Sequence, residues 1–171
     1  MTEKHCTPLL RTILLLLIIA TMVGIYAFSA ENGEHSGATS AGVTEWVLSV
    51  LHPDLEELPP AEQEEIVESS ETLIRKLAHM TEFGLLGLLV LLFAATWEDP
   101  YLTLKYLLSL AFVFFYAATD ELHQTFVPAR VGCLTDVLID LAGAIFTCTA
   151  ALSFLLHKQK RRATTALRKD R

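Results

Sequence analysis

A chain of 171 residues is long enough for one domain, and 52% of it is hydrophobic, with a mean hydropathy of +0.42. That is too apolar for an ordinary soluble domain of this size. The formal net charge of −7 is unevenly spread: Ser29 to Leu73 holds 11 of the 20 acidic residues and none of the 13 basic ones, while His157 to Arg171 holds 7 basic residues against Asp170 alone. The apolar residues are bunched into runs of about 18 or more, which only a bilayer accommodates, so the chain reads as an all-α integral membrane protein.

The first span is expected over 9–28, LLRTILLLLIIATMVGIYAF, with Arg11 near its start able to snorkel to the headgroups. A cleaved signal peptide is the rival, but the apolar stretch exceeds the usual ~7–15 residues, which favours a retained anchor. An acidic segment, 29–72, follows. Its opening, ENGEHSGATSAG, reads as flexible linker, and VTEWVLSVL places Trp46, Val47, Val50 and Leu51 at helical spacing, as in a short amphipathic helix. His52-Pro53 ends that helix. After Pro59-Pro60 a second helical stretch, acidic at its start, is expected to run straight into span two, 77–97, where Gly84 and Gly87 permit close helix approach. Trp97 to Tyr101 reads as a tight turn, and span three covers 102–118. A polar connection over 119–131 and span four, 134–156, come next. The basic tail 157–171 closes the chain, its last ten or so residues expected without order.

Lysine and arginine placement sets the expected orientation. Four spans put both termini on one side, and the basic tail with Lys4 and Arg11 puts that side in the cytoplasm (N-in, C-in). The acidic segment and the 119–131 loop then face outward. Arg75, Lys76 and Arg130 fall on that outer side, against the rule, and call for a reason. Cys6, Cys133 and Cys148 form no CxxC pair and predict no disulfide framework, Cys148 reading as a small buried hydrophobe.

Ionisable groups inside a membrane are costly, so each is a functional candidate. In RKLAHMTEF, Arg75, His79 and Glu82 share one helix face, with Lys76 beside them. In ATDELHQTFVPAR, Asp120, His123 and Gln124 share a face if the end of span three stays helical. In CLTDVLID, Asp136 and Asp140 are four residues apart. The alternating span directions bring all three groups to the same depth, whereas the opposite halves of these helices carry only Lys105, which can snorkel to the inner surface. This predicts one polar cluster opening to the outer face. As ion-pair staples, Arg75 would join Glu82, and Arg130 would join Asp136 or Asp140. As a site, His79, Glu82, Asp120, Glu121 and His123 supply donors for catalysis or for a divalent metal, His79, Glu82 and His123 being its candidate ligands. A His/Glu general base with Arg75 or Arg130 on a phosphate is an alternative, and a non-catalytic pocket for a polar headgroup or antibiotic is another. Arg75, Lys76, Gln124, Arg130, Asp136 and Asp140 are the ligand-binding candidates. No nucleophile stands in a suggestive setting, and no phosphate loop or nucleic-acid motif is present.

The runs RKLAHMTEFGLLG and DELHQTFVPARVGCLTDVLIDLAG resemble the VanZ-like membrane proteins, a family named for a teicoplanin-resistance protein of enterococci. The resemblance rests on Arg75, Lys76, His79, Glu82, Phe83, Asp120, Glu121, His123, Gln124, Phe126, Pro128, Arg130, Asp136 and Val137, and spans roughly residues 43–150. Ala129 departs from the Pro-Gly-Arg turn of many members, and Gly143 stands without the second glycine that often follows. The resemblance implies a multi-pass protein of the bacterial cytoplasmic membrane, linked by family to lowered glycopeptide susceptibility. Its expected ligands are membrane lipid and a lipid-linked cell-wall precursor or glycopeptide. An accessory or scaffold protein of an envelope complex is the second reading. A small transporter is the third, and the absence of a polar path across the bilayer weighs against it.

Overall fold

The computed structural model describes residues 3–30, 33–97, 101–128, 130 and 132–169. They form α1 (Glu3–Ser29), α2 (Gly33–Leu51), a 3-10 turn (Leu55–Glu57), α3 (Pro60–Ala94), α4 (Leu102–Gln124) and α5 (Leu134–Lys169), and among the described residues there is no strand. Four of these helices, α1, α3, α4 and α5, are long and apolar enough to cross a membrane. Only 22–33% of their most apolar windows is buried within the protein, so most of the apolar surface (Leu16, Val23, Phe115, Phe146 and Phe154 among it) faces outward. A soluble monomer does not expose so much contiguous apolar surface, and lipid is its natural cover.

Each boundary has a local cause. Pro53 disfavours helical backbone at its predecessor, and α2 stops at Leu51. Pro60 opens α3 at its first position, where a missing N–H costs nothing. From there α3 runs unbroken for 35 residues, roughly 50 Å, against a hydrocarbon core of roughly 30 Å. The first four turns therefore stand beyond the bilayer, as the acidic composition of 60–71 requires. Two segments expected as unstructured are instead helical. The backbone of 33–42 belongs to α2, propagated back from the packed 43–51 stretch, because extending a helix is far easier than nucleating one. The tail continues α5 to Lys169, its lysines, arginines and alanines being good helix formers. The turn residues Glu98, Asp99 and Pro100, and Ala129, lie outside the described residues.

The bundle is held chiefly by α3 against α5, then α5 against α4 and α1 against α3. The α3–α5 seam works because its residues are small. A Cβ on Gly143 would overlap the backbone carbonyl of Met80, and one on Gly87 would press on Ala144 and Cys148 at 3.0–3.1 Å. Close approach lets the Thr147 hydroxyl donate to the Gly84 carbonyl across the seam at 2.7 Å. Cys148 is fully buried there, as expected. Beneath lies the apolar core of Phe83, Leu86, Val113, Ala117, Val137 and Ala144, joined by Leu14, Ile18 and Ile25 of α1.

The two expected snorkelling cations have better occupations. Arg11 donates to Thr96 through Nε (to Oγ1, 3.0 Å) and a terminal nitrogen (to O, 2.9 Å), and its guanidinium lies 4.4 Å from the Trp97 ring centre. Lys105, buried, donates to the Trp97 carbonyl at 2.7 Å. Both cations therefore sit at the C-terminal end of α3, where carbonyls lack helical partners and the helix dipole is negative.

Candidate functional site

The other end of the bundle gathers the polar residues. α4 continues past the expected end of span three to Gln124, so Asp120, Glu121, His123 and Gln124 project from one rigid helix. α3 descends past them with Arg75, Lys76, His79 and Glu82, and α5 begins beside them with Asp136 and Asp140. The loop between α4 and α5 folds back so tightly that a Cβ on Gly132 would strike Thr125 and the Glu121 backbone.

Three buried carboxylates are fixed in different ways. Asp120 accepts from the Ser29 hydroxyl at 2.8 Å and from Gln124 Nε2 at 2.9 Å. Glu121 accepts from the Cys133 backbone N–H, which ties the start of α5 to α4. Asp140 lies within electrostatic range of Asp120, Glu121, Asp136 and Glu82, so five carboxylates share one neighbourhood with Arg75, Lys76 and Arg130. Lys76 Nζ meets Asp136 Oδ1 at 2.6 Å, both side chains about one-third exposed. Lys76–Asp136 is not among the expected staples, which give Asp136 or Asp140 to Arg130 and pair Arg75 with Glu82. The position is rotational: Lys76 is one residue, about 100° of helix, from Arg75, and it is the one facing α5. Arg130 donates to the Phe28 carbonyl at the end of α1 (3.1 Å) and to Gln124 Oε1 (3.4 Å). Its positive charge therefore completes a helix C-terminus.

Of the candidates, Arg75, Lys76, His79, Glu121, Gln124, Asp136 and Asp140 line one cavity between α3, α4 and α5, with Ile139. Its enclosed volume is about 30 Å³, space for roughly two water molecules. Arg75 is exposed at its rim, and His79 lies half-buried with its ring stacked 6.4 Å from Phe83. His123 is turned away, its ring edge-on to Tyr26 of α1 at 4.7 Å, and its buried Nδ1 has no hydrogen-bond partner. Glu82 and Asp120 do not line the cavity. The proposed metal trio of His79, Glu82 and His123 is accordingly not brought together, and among the described residues no three His, Cys, Asp or Glu side chains converge on a metal position.

Sequence reasoning missed Ser29, which it read only as the first residue of the acidic segment. The residue is fully buried and holds Asp120; its signal was a hydroxyl one residue beyond an apolar run, level with a buried carboxylate. Tyr116, whose hydroxyl donates to the Met22 carbonyl at 2.6 Å, was missed too. So was the Cys133 amide, because a backbone donor leaves no trace in side-chain spacing. Cys133 itself is an exposed free thiol, its pKa lowered foremost by the hydrogen bond with the Thr135 side chain.

No curated protein and no solved structure matches the chain. A family model described as VanZ/LLP1 matches residues 14–156, a range that takes in α3 and α4 whole, most of α1 and α5, and every residue of the polar end. The chain therefore belongs to the VanZ/LLP1 family and is a multi-pass membrane protein of that bacterial family.

Proposed function

We propose that this protein binds, or modifies, the polar part of an extracytoplasmic cell-envelope ligand at the rim of the cavity between α3, α4 and α5, with the chain oriented N-in, C-in. A lipid-linked cell-wall precursor or a glycopeptide antibiotic is the ligand class, and lowered teicoplanin susceptibility is the expected phenotype. The observation that carries this reading is the convergence of cationic, imidazole and carboxylate side chains from three helices on one cavity at one end of an otherwise apolar bundle. A volume near 30 Å³ admits water and no sugar or phosphate. The ligand's polar group would therefore lie across the mouth, against exposed Arg75, with His79 beneath it for proton transfer or hydrogen bonding. An amphipathic ligand suits a polar rim set directly above lipid-facing helices.

A second reading, a non-enzymatic accessory protein of an envelope complex, draws on a different observation. Lys76, Asp120, Glu121 and Gln124 all have partners inside the protein, as staples would. Arg75 separates the two, being exposed and contributing least to the internal bonding. In a glycopeptide-susceptible Gram-positive host, wild type should raise the teicoplanin inhibitory concentration over empty vector. Arg75→Gln and His79→Ala should abolish the rise at unchanged membrane protein level. Loss of effect only in step with loss of protein would favour the staple reading, and no rise with wild type would remove the resistance role.

A further inference from the structure

Outside the polar end described above, α2 and the first turns of α3 form an antiparallel hairpin. Thr44 and Leu48 of α2 lie opposite Glu71 and Val67 of α3, and the tip at 52–59 is tied down by Gln63 Nε2 donating to the Leu58 carbonyl at 2.7 Å. The two helices do not close fully on one another. Between them runs a groove of about 500 Å³, within the usual range for small-molecule sites and far larger than the cavity at the polar end.

Two independent features of this groove point to an occupant. The first is its charge: Glu45, Glu56 and Glu71 stand around Leu48, Leu55 and Val67, and the stretch from Ser29 to Leu73 holds no lysine or arginine, His52 lining the groove and Arg75 following Glu71 by one helical turn. The second is Thr44. Several helical hydroxyls elsewhere in the chain donate to a carbonyl three or four residues back, as Thr12, Thr21, Ser69 and Thr81 do at 2.8–3.0 Å. Thr44, only 2% exposed, makes no such bond; its Oγ1 is a buried polar atom without a partner, in the groove wall. A buried hydroxyl left unsatisfied is costly and calls for a ligand atom.

We propose that this groove binds a small, water-borne cationic amphipath, an ammonium or guanidinium carried on an apolar body. The cation sits among the three glutamates, one of its N–H groups donates to Thr44 Oγ1, and the apolar body covers Leu48 and Val67. A lipid is the poorer occupant by position. Glu71 and Val67 precede Arg75 by one and two turns, roughly 6 and 12 Å along α3, so the groove stands clear of the acyl region. The proposal is independent of the reading given to the cavity at the polar end.

The test uses the full chain in nanodiscs of zwitterionic lipid at low salt, titrated with phenylalanyl-arginine β-naphthylamide as probe. Protein-free nanodiscs and neutral N-acetyl-phenylalaninamide are the controls, and binding is followed by calorimetry. Saturable one-to-one binding is expected for the cationic probe and not for the neutral one. Glu56→Gln with Glu71→Gln should weaken it about tenfold. Isosteric Thr44→Val should weaken it several-fold, and Asp136→Asn, which removes an acid at the polar end, should leave it unchanged. Uptake no greater than by empty nanodiscs, equal binding of the neutral compound, or affinity indifferent to the glutamate and Thr44 changes would overturn the proposal. Loss of binding in Asp136→Asn would also overturn it, by placing the probe at the polar end.

Discussion

Asp120 and Lys76 show how differently two charged side chains of one cluster are held. Asp120 is buried and satisfies two donors, Ser29 and Gln124, on two helices. Asp120→Ala should orphan the Ser29 hydroxyl and cost about 1–3 kcal/mol for that buried group alone. Asp120→Asn keeps an acceptor and should cost clearly less; thermal unfolding midpoints of the purified variants in detergent will show that order or refute it. Lys76 and Asp136 are about one-third exposed, so Lys76→Gln should cost no more than about 1 kcal/mol despite the short 2.6 Å contact. The charges themselves were legible from their positions in apolar segments. Their pairing was not, because Arg75 and Lys76 are neighbours whose spacing to α5 cannot be read along the chain.

For the helices, the decisive contact is the α3–α5 seam, and its glycines differ in kind. Gly143 faces the Met80 carbonyl with no room for a Cβ, so Gly143→Ala must push the two helices apart and should cost about 1–3 kcal/mol. Gly24, in α1, has nothing within 4 Å of where its Cβ would be. Gly24→Ala should be neutral or stabilise by about 0.5–1 kcal/mol, since alanine is the better helix former. The same unfolding assay checks both, and equal effects would refute the seam as the tight contact. Sequence reading anticipated close approach at Gly84 and Gly87, and did not single out Gly143 for it. It placed Arg11 and Lys105 merely at the membrane surface, because which helix end a long cation reaches depends on how the helices are arranged.

Across the whole molecule, orientation is the property on which the proposed function depends, and Cys133 offers a native handle on it. The thiol is exposed at the polar end, while Cys148 is buried in the seam. In a Cys6→Ser background, a membrane-impermeant maleimide added to intact cells should label the protein, and Cys133→Ser should abolish that labelling; labelling only after permeabilisation would reverse the N-in, C-in arrangement. Thiolate is the reactive form, and the Thr135 contact lowers this thiol's pKa. The labelling rate should therefore rise with pH and level off at a lower pH than for an ordinary surface cysteine. Thr135→Val should move that plateau upward.

The four apolar helices, their limits at the prolines, the acidic and basic ends and the three clusters of ionisable residues were all determined by the sequence alone. Each is a local property, in which composition over about 20 residues decides solvent against lipid and backbone chemistry decides where a helix can begin. Only the tertiary structure decided which members of the clusters meet. It turned His79 to the cavity and His123 to Tyr26, set Lys76 rather than Arg75 on an acid, and brought Ser29 under Asp120 from 91 residues away in the chain. It also left Thr44 unpaired in an open groove. These outcomes depend on helix rotation and on approach distance. Both are set by the small residues of the α3–α5 seam, which lie on different helices and leave no joint periodicity to read.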